Sequence, residues 1–127
     1  MKILLVGASG CFGTEFRKIV SKNKKIRLFC PPSKKINLIN FEKVKQYIIK
    51  KNPNLVLNAA SIVGINQCEE DFLDAYELNS VSVLNLAKIC KNNKITMVQT
   101  STHAVFDGKK KSSYTTTNVG EEIVSNA

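Results

Sequence analysis

Lys2-Ile3-Leu4-Leu5-Val6-Gly7-Ala8-Ser9-Gly10-Cys11-Phe12-Gly13 is the stretch on which the fold turns. Lys2–Val6 is a short apolar run that ends in glycine, as a strand buried on both faces would. After Gly13 the apolar residues Phe12, Phe16, Ile19 and Val20 recur at helical spacing. Between strand and helix the glycines are spaced G-x-x-G-x-x-G, and each has a job. Gly7 permits a tight turn out of the strand. Gly10 lets the backbone approach a pyrophosphate where a side chain would collide, and Gly13 lets the helix pack closely on the sheet. The N–H groups of the first helical turn then face the phosphates, aided by the helix dipole.

The same alternation continues outward. Ile26–Phe29 reads as a second strand, after which Pro31-Pro32 forces an extended loop. Phe41–Lys51 reads as a helix with Phe41, Val44, Tyr47 and Ile48 inward, ended by Pro53. Leu55–Leu57 is a third strand. Glu69–Cys90 is one long helical pattern whose buried side is marked by Phe72, Ala75, Tyr76, Val83, Leu86 and Ala87, and its acidic start suits the positive end of a helix dipole. Ile95–Gln99 is a fourth strand. The expected fold is therefore α/β: a Rossmann-like, doubly wound parallel sheet of about four strands over residues 1–108. Residues 109–127 read as a weakly ordered segment with at most a short helix near Val119–Val124.

The second strand ends Phe29-Cys30-Pro31-Pro32-Ser33-Lys34-Lys35, without the acid that holds a ribose 2′-OH in an NAD site. Ser33, Lys34 and Lys35 instead suit a 2′-phosphate, so NADP is favoured over NAD as cofactor.

Composition bounds the remaining classes. The chain has 127 residues, 43% of them hydrophobic, enough for one domain with a real core. Its apolar runs are only a few residues long, so no segment spans a bilayer. The first of them leads straight into glycines rather than a cleavage site, so a cytoplasmic protein is expected. The net charge is +9, but Arg17 and Arg27 are the only arginines. Runs such as Lys22–Lys25, Lys34–Lys35, Lys43–Lys51 and Lys109–Lys111 read as solvated surface, and neither nucleic acid nor a membrane is expected as a partner. Cys11, Cys30, Cys68 and Cys90 form no C-x-x-C pair and His103 is the only histidine, so no metal site is expected and the thiols should be buried and reduced.

Three stretches together, KILLVGASGCFG, LVLNAASIVGINQCEEDFLDAYELN and TSTHAVFDG, resemble the dTDP-4-dehydrorhamnose reductase family of the extended short-chain dehydrogenase/reductase superfamily. The resemblance covers roughly residues 1–118, and the S-T-x-x-V-F-D-G signature is its most specific element. It implies an NAD(P)H-dependent reductase of a 4-keto deoxysugar nucleotide, which would be its partner as substrate. Gly7, Gly10 and Gly13, with the amides of Cys11 and Phe12, would hold the pyrophosphate. Asn37 stands where the family has an Asp near the adenine. Asn58, Ala59 and Ala60 would lie along the cofactor. Ser101 and Thr102 match the catalytic Ser/Thr position, with the Thr102 hydroxyl hydrogen-bonding the substrate carbonyl.

The chain departs from the family in several places. His103-Ala104 replaces Asp-Tyr, Ile62 replaces a common Tyr, and Asn66-Gln67 replaces Asp-Lys, all on the sugar-nucleotide side. The Tyr of the superfamily's Tyr-x-x-x-Lys pair should fall near residue 126, where the sequence reads Val124-Ser125-Asn126-Ala127. Tyr114 matches an aromatic of the family's loop, and Tyr47 with Lys51 shows the spacing on the wrong helix. The family's substrate domain is expected to be absent, and the fourth strand to carry a bare edge that invites self-association. A non-catalytic nucleotide-binding module or regulatory subunit, and an epimerase or dehydratase relative, remain alternatives.

Overall fold

The computed structural model describes residues 1–102, 106 and 108–115. The helix expected near Val119–Val124 and His103 lie outside the described residues. β1 (Lys2–Val6), β2 (Arg27–Phe29), β3 (Leu55–Asn58) and β4 (Thr96–Gln99) form one parallel sheet in the order β2-β1-β3-β4. The chain leaves β1 to one side to make β2, then crosses to β1's other side to make β3. That reversal puts a crevice beyond the carboxyl ends of β1 and β3, where ligands bind in open α/β sheets.

Ile3 to Val6 are all buried because β1 is covered on both faces. Ile3 and Leu5 point to the face covered by α1 (Cys11–Ser21), where Leu57, Phe16, Ile26 and Leu28 join them. Leu4, Val6 and Val56 point the other way, onto α2 (Phe41–Lys51) and α5 (Ser82–Asn92), through Val44, Ile48, Leu86, Ile89 and Cys90. Ile48 and Leu86 are essentially sealed, and burying each such side chain stabilises by about 1.5–3 kcal/mol. α2 starts where the Asn40 side chain accepts from the Lys43 N–H at 3.0 Å, and it stops at Asn52, whose φ of 44° is left-handed, just before Pro53.

The expected Glu69–Cys90 helix is broken. It is built as α3 (Ile65–Glu70), α4 (Phe72–Tyr76), a π-helical turn (Glu77–Val81) and α5. The π turn shifts the helical register, so the expected buried side holds only in part. Ala75 and Leu86 are buried and Val83 is half-buried, but Phe72, Tyr76 and Ala87 are exposed, with Phe72 and Tyr76 stacked on each other at 6.2 Å. The double proline is corrected as well. Instead of an extended loop, Pro32 begins a turn, its carbonyl accepting from the Lys35 and Ile36 N–H groups at 2.8 and 3.1 Å. Of the thiols expected to be buried, only Cys90 is: Cys11 is exposed, and Cys30 and Cys68 are half-buried. Burial pushes the Cys90 thiol up to about 11.

β4 pairs with β3 and with no other strand among the described residues. Residues 108–115 carry no helix or strand, and Phe106 packs on Tyr114 at 4.4 Å. No helix among the described residues is long and apolar enough to cross a membrane.

Candidate dinucleotide site

The glycine turn sits at the carboxyl end of β1. Gly7 has φ of 79°, and its carbonyl accepts from the Gly10 N–H at 3.2 Å. A Cβ on Gly7 would overlap the backbone of Ala59 and stand 2.5 Å from the Ala60 nitrogen. A Cβ on Gly13 would overlap the Gly7 carbonyl and stand 2.7 Å from the Ala8 Cα. These two glycines are dictated by the way the turn, α1 and β3 are pressed together. Gly10 differs: a Cβ there meets only the Gly7 oxygen, at an ordinary 3.5 Å, so its outer side is open. Gly10 is also the N-cap of α1, where no side chain makes a capping bond and no acid lies in the first turn. The Cys11 and Phe12 N–H groups are thus left to an outside acceptor, at the positive end of the helix.

The other wall is the carboxyl end of β3. The Ala59 N–H donates to the Val6 carbonyl at 3.0 Å, which ties this wall to the glycine turn. Asn58 is completely buried. Its Nδ2 donates to Gln99 Oε1 at 2.8 Å, and its Oδ1 accepts from the Ala60 N–H at 3.2 Å. Its side chain therefore positions Ala60 and is itself spent within the wall. Neither Gln99 nor Asn79 is singled out by sequence reasoning. Asn79 lies in the π turn, where its Oδ1 accepts from the Ile62 N–H and its Nδ2 donates to the Ile62 carbonyl, both at 2.9 Å. A carboxamide in the middle of an otherwise amphipathic helix is the only trace of that clamp in the sequence.

Past this wall opens a cavity of about 730 Å³ lined by Ser61, Ile62, Cys68, Gln99, Ser101 and Thr102, among others. Ser101 and Thr102 are exposed to it at the end of β4. The structure thus brings Gly7, Gly10, Cys11, Phe12, Gly13, Ala59, Ala60, Ser101 and Thr102 to one edge of the sheet. Lys34 stands in the turn after β2, exposed and at the same edge. Asn37 is exposed between buried Ile36 and Leu38, and its Oδ1 accepts from the Ile39 N–H at 3.1 Å. Tyr47 and Lys51 are elsewhere: Tyr47 packs on the α2 core, and the Lys51 Nζ stands 5.7 Å above its ring. Among the described residues no group of His, Cys, Asp and Glu is placed to hold a metal.

Residues 1–121 match the sequence profile of the RmlD substrate binding domain family. A dTDP-4-dehydrorhamnose reductase from Aggregatibacter actinomycetemcomitans is 27% identical over 118 residues, which are 93% of this chain and 40% of the relative. The crystal structure of a dTDP-4-dehydrorhamnose reductase from Clostridium acetobutylicum superposes with a TM-score of 0.85 at 30% identity, covering 98% of this chain and 46% of that one. A dTDP-4-dehydrorhamnose reductase from Bacillus anthracis, solved in complex with NADP, superposes with a TM-score of 0.80 at 21% identity over 87% of this chain and 39% of that one. The chain spans less than half the length of each of these relatives.

Proposed function

The chain belongs to the RmlD substrate binding domain family, and from that premise we propose that it is the dinucleotide-binding part of an NAD(P)H-dependent reductase acting on a 4-keto deoxysugar nucleotide. The observation that carries this reading is the open side of Gly10 at the uncapped start of α1, set beside the closed contacts of Gly7 and Gly13. That arrangement fits a pyrophosphate: there is space for it, unpaired N–H groups to bind it, and a helix dipole of the right sign. Gly10 and the Cys11 and Phe12 amides would hold it, with Gly7 and Gly13 shaping the turn. Ala59 and Ala60 would pass along the cofactor, fixed by Asn58. Lys34 and Asn37 would flank the adenosine, with Lys34 meeting a 2′-phosphate.

When bound, the reduced nicotinamide supplies the hydride that reduction of a ketone needs. The chain's own part falls to the cavity beyond Ala60. There Thr102 would donate its hydroxyl hydrogen bond to the carbonyl oxygen, favouring the oxyanion that develops, and Ser101 would help seat the cofactor. Asn79 holds Ile62 and so keeps the wall of the cavity in place.

The test is a thermal melt of the purified chain with NADPH and with NADH. At about a hundred times the dissociation constant a ligand of the folded state stabilises by about 2.7 kcal/mol. A raised midpoint with either cofactor is expected, and no rise with either refutes the reading.

A further inference from the structure

The proposed dinucleotide site uses the carboxyl edge of the sheet, and seven of the lysines lie at the opposite edge. Lys22, Lys24 and Lys25 join α1 to β2, Lys50 and Lys51 end α2, and Lys91 and Lys94 lead from α5 into β4. Hydrogen bonds knit these ends together. The Lys2 N–H donates to Asn54 Oδ1 at 2.7 Å, the Thr96 N–H to the Asn54 carbonyl at 3.3 Å, and the Arg27 N–H to the Met1 carbonyl at 2.8 Å. Among the described residues, no acid belongs to this edge. Glu15 is within α1 and ion-paired to Lys18 at 2.6 Å, Glu42 starts α2 at its far end, and the acids from Glu69 to Glu77 belong to α3, α4 and the π turn. A lysine-rich composition accounts for the number of lysines but not for the lack of acids beside these seven.

Two further features stand beside the lysines. Ile19 and Ile49, near the ends of α1 and α2, are 70% and 53% exposed. A groove of about 670 Å³ runs along α1 and β2, its floor including Val20, Ile26 and Leu28 and its rim including Arg17 and Lys24. Cationic points around exposed isoleucines and an apolar-floored groove match a headgroup layer, whose phosphates meet the ammonium groups while the isoleucines reach the acyl boundary. Nucleic acid fits less well. Its bases want exposed rings, whereas the two rings nearest these lysines, Phe29 and Tyr47, are half-buried, with Arg27 and Lys51 stacked over Phe29 at 5.3 and 5.2 Å and Lys51 also over Tyr47.

We propose that the amino-terminal edge of the sheet is a docking surface for an anionic phospholipid bilayer, which holds the protein on the membrane surface with its dinucleotide site facing away. Each lysine near such a surface multiplies affinity by about fivefold, and the attraction weakens as salt shortens the Debye length.

The experiment is co-sedimentation of the whole chain with vesicles of phosphatidylcholine alone and with about one-third phosphatidylserine, at ~0.1 M and ~0.5 M salt. Binding only to the anionic vesicles and only at the lower salt is expected. The variant Lys22→Glu, Lys24→Glu, Lys50→Glu, Lys91→Glu should weaken it by about a hundredfold or more. A matched reversal at Lys34, Lys35, Lys43 and Lys45 should keep most of it. The same four edge positions changed to Gln, with the melting midpoint of each variant, exclude loss through unfolding. No binding to anionic vesicles overturns the proposal. So does equal loss in the two reversed variants, since net charge alone would then be at work. Binding to a mixed-sequence oligonucleotide through the edge lysines, without binding to vesicles, also overturns it and assigns the surface to nucleic acid.

Discussion

Replacing Gly13 by Ala sets two physical effects against each other. Gly13 lies inside α1, and helix propensity favours Ala over Gly by about 1 kcal/mol. In an isolated helix the change would stabilise. In this fold the new Cβ would overlap the Gly7 carbonyl and lie 2.7 and 2.9 Å from the Ala8 Cα and carbonyl carbon. All three are backbone atoms at the end of the central strand, so none can swing aside as a side-chain tip would. Overpacking of this kind costs about 1–3 kcal/mol, toward the upper end where backbone must shift. The net expectation is a loss of about 1–2 kcal/mol, or a fall of about 4–10 °C in the melting midpoint for a chain of this size. Gly10→Val is the companion change. Its Cβ has room, so stability should drop only by about the 0.5–1 kcal/mol expected for a poorer N-cap. Its side chain, however, stands where the pyrophosphate would, and the NADPH-induced shift should vanish. Both are read from melts with and without NADPH. A Gly13→Ala variant as stable as its parent, or more so, would refute the packing argument. A Gly10→Val variant that still responds to NADPH would move the site elsewhere.

NADPH is expected to raise the midpoint more than NADH, and the double change Lys34→Ala, Lys35→Ala should remove most of the difference, since a charge-assisted bond to phosphate contributes roughly 1.5–3 kcal/mol. Equal shifts in the unmutated chain would refute this. Asn79→Ala removes both bonds to Ile62 and should cost about 1–3 kcal/mol with faster exchange of the Ile62 amide; unchanged exchange would show that the clamp is not needed. The 127-residue chain alone should not oxidise NADPH with a 4-keto-6-deoxy sugar nucleotide, because Tyr47 and Lys51 are on α2 and a missing general acid costs about 10²–10⁴-fold; turnover above background would defeat this. The Cys90 thiol is held protonated up to about 11, so the unfolded chain ionises first as pH rises. Stability tied to this thiol is full below the ordinary thiol range and lost from there to about pH 11. A denaturant midpoint that falls equally over that window in Cys90→Ala would show another group responsible.

The sheet and the glycine turn were legible because each rests on a local pattern. Ile3–Val6 is apolar without a break, and Gly7, Gly10 and Gly13 keep their spacing whatever lies far away. The helix after β3 was not legible, because Phe72, Leu73 and Tyr76 have the spacing of a buried face yet stand exposed. Periodicity records which residues share a side and not whether that side is covered. The π turn adds a register shift that no propensity marks, and with it goes the position of Asn79. Asn58 stood out in the sequence, but its burial and its bond to Gln99 did not, since they arise from two strands 41 residues apart. The spatial gathering of lysines at one edge was hidden for the same reason: their runs are separate in the chain and meet only through the topology.

The closure of Gly7 against Ala59 bears on how the protein comes into being. A turn that looks local, seven residues from Gly7 to Gly13, reaches its shape only against backbone more than fifty residues downstream. During synthesis, β1 and α1 emerge from the ribosome without the partner that defines the shape of the glycine turn. Long-range parallel pairing of this kind forms slowly, because the intervening chain must first be drawn in. Nascent chains ending before Leu55 should therefore be cut readily by protease within the glycine turn, and those extended past Ala60 should become resistant there. Ligand competence would then arrive during translation with β3, well after the glycines themselves have been made.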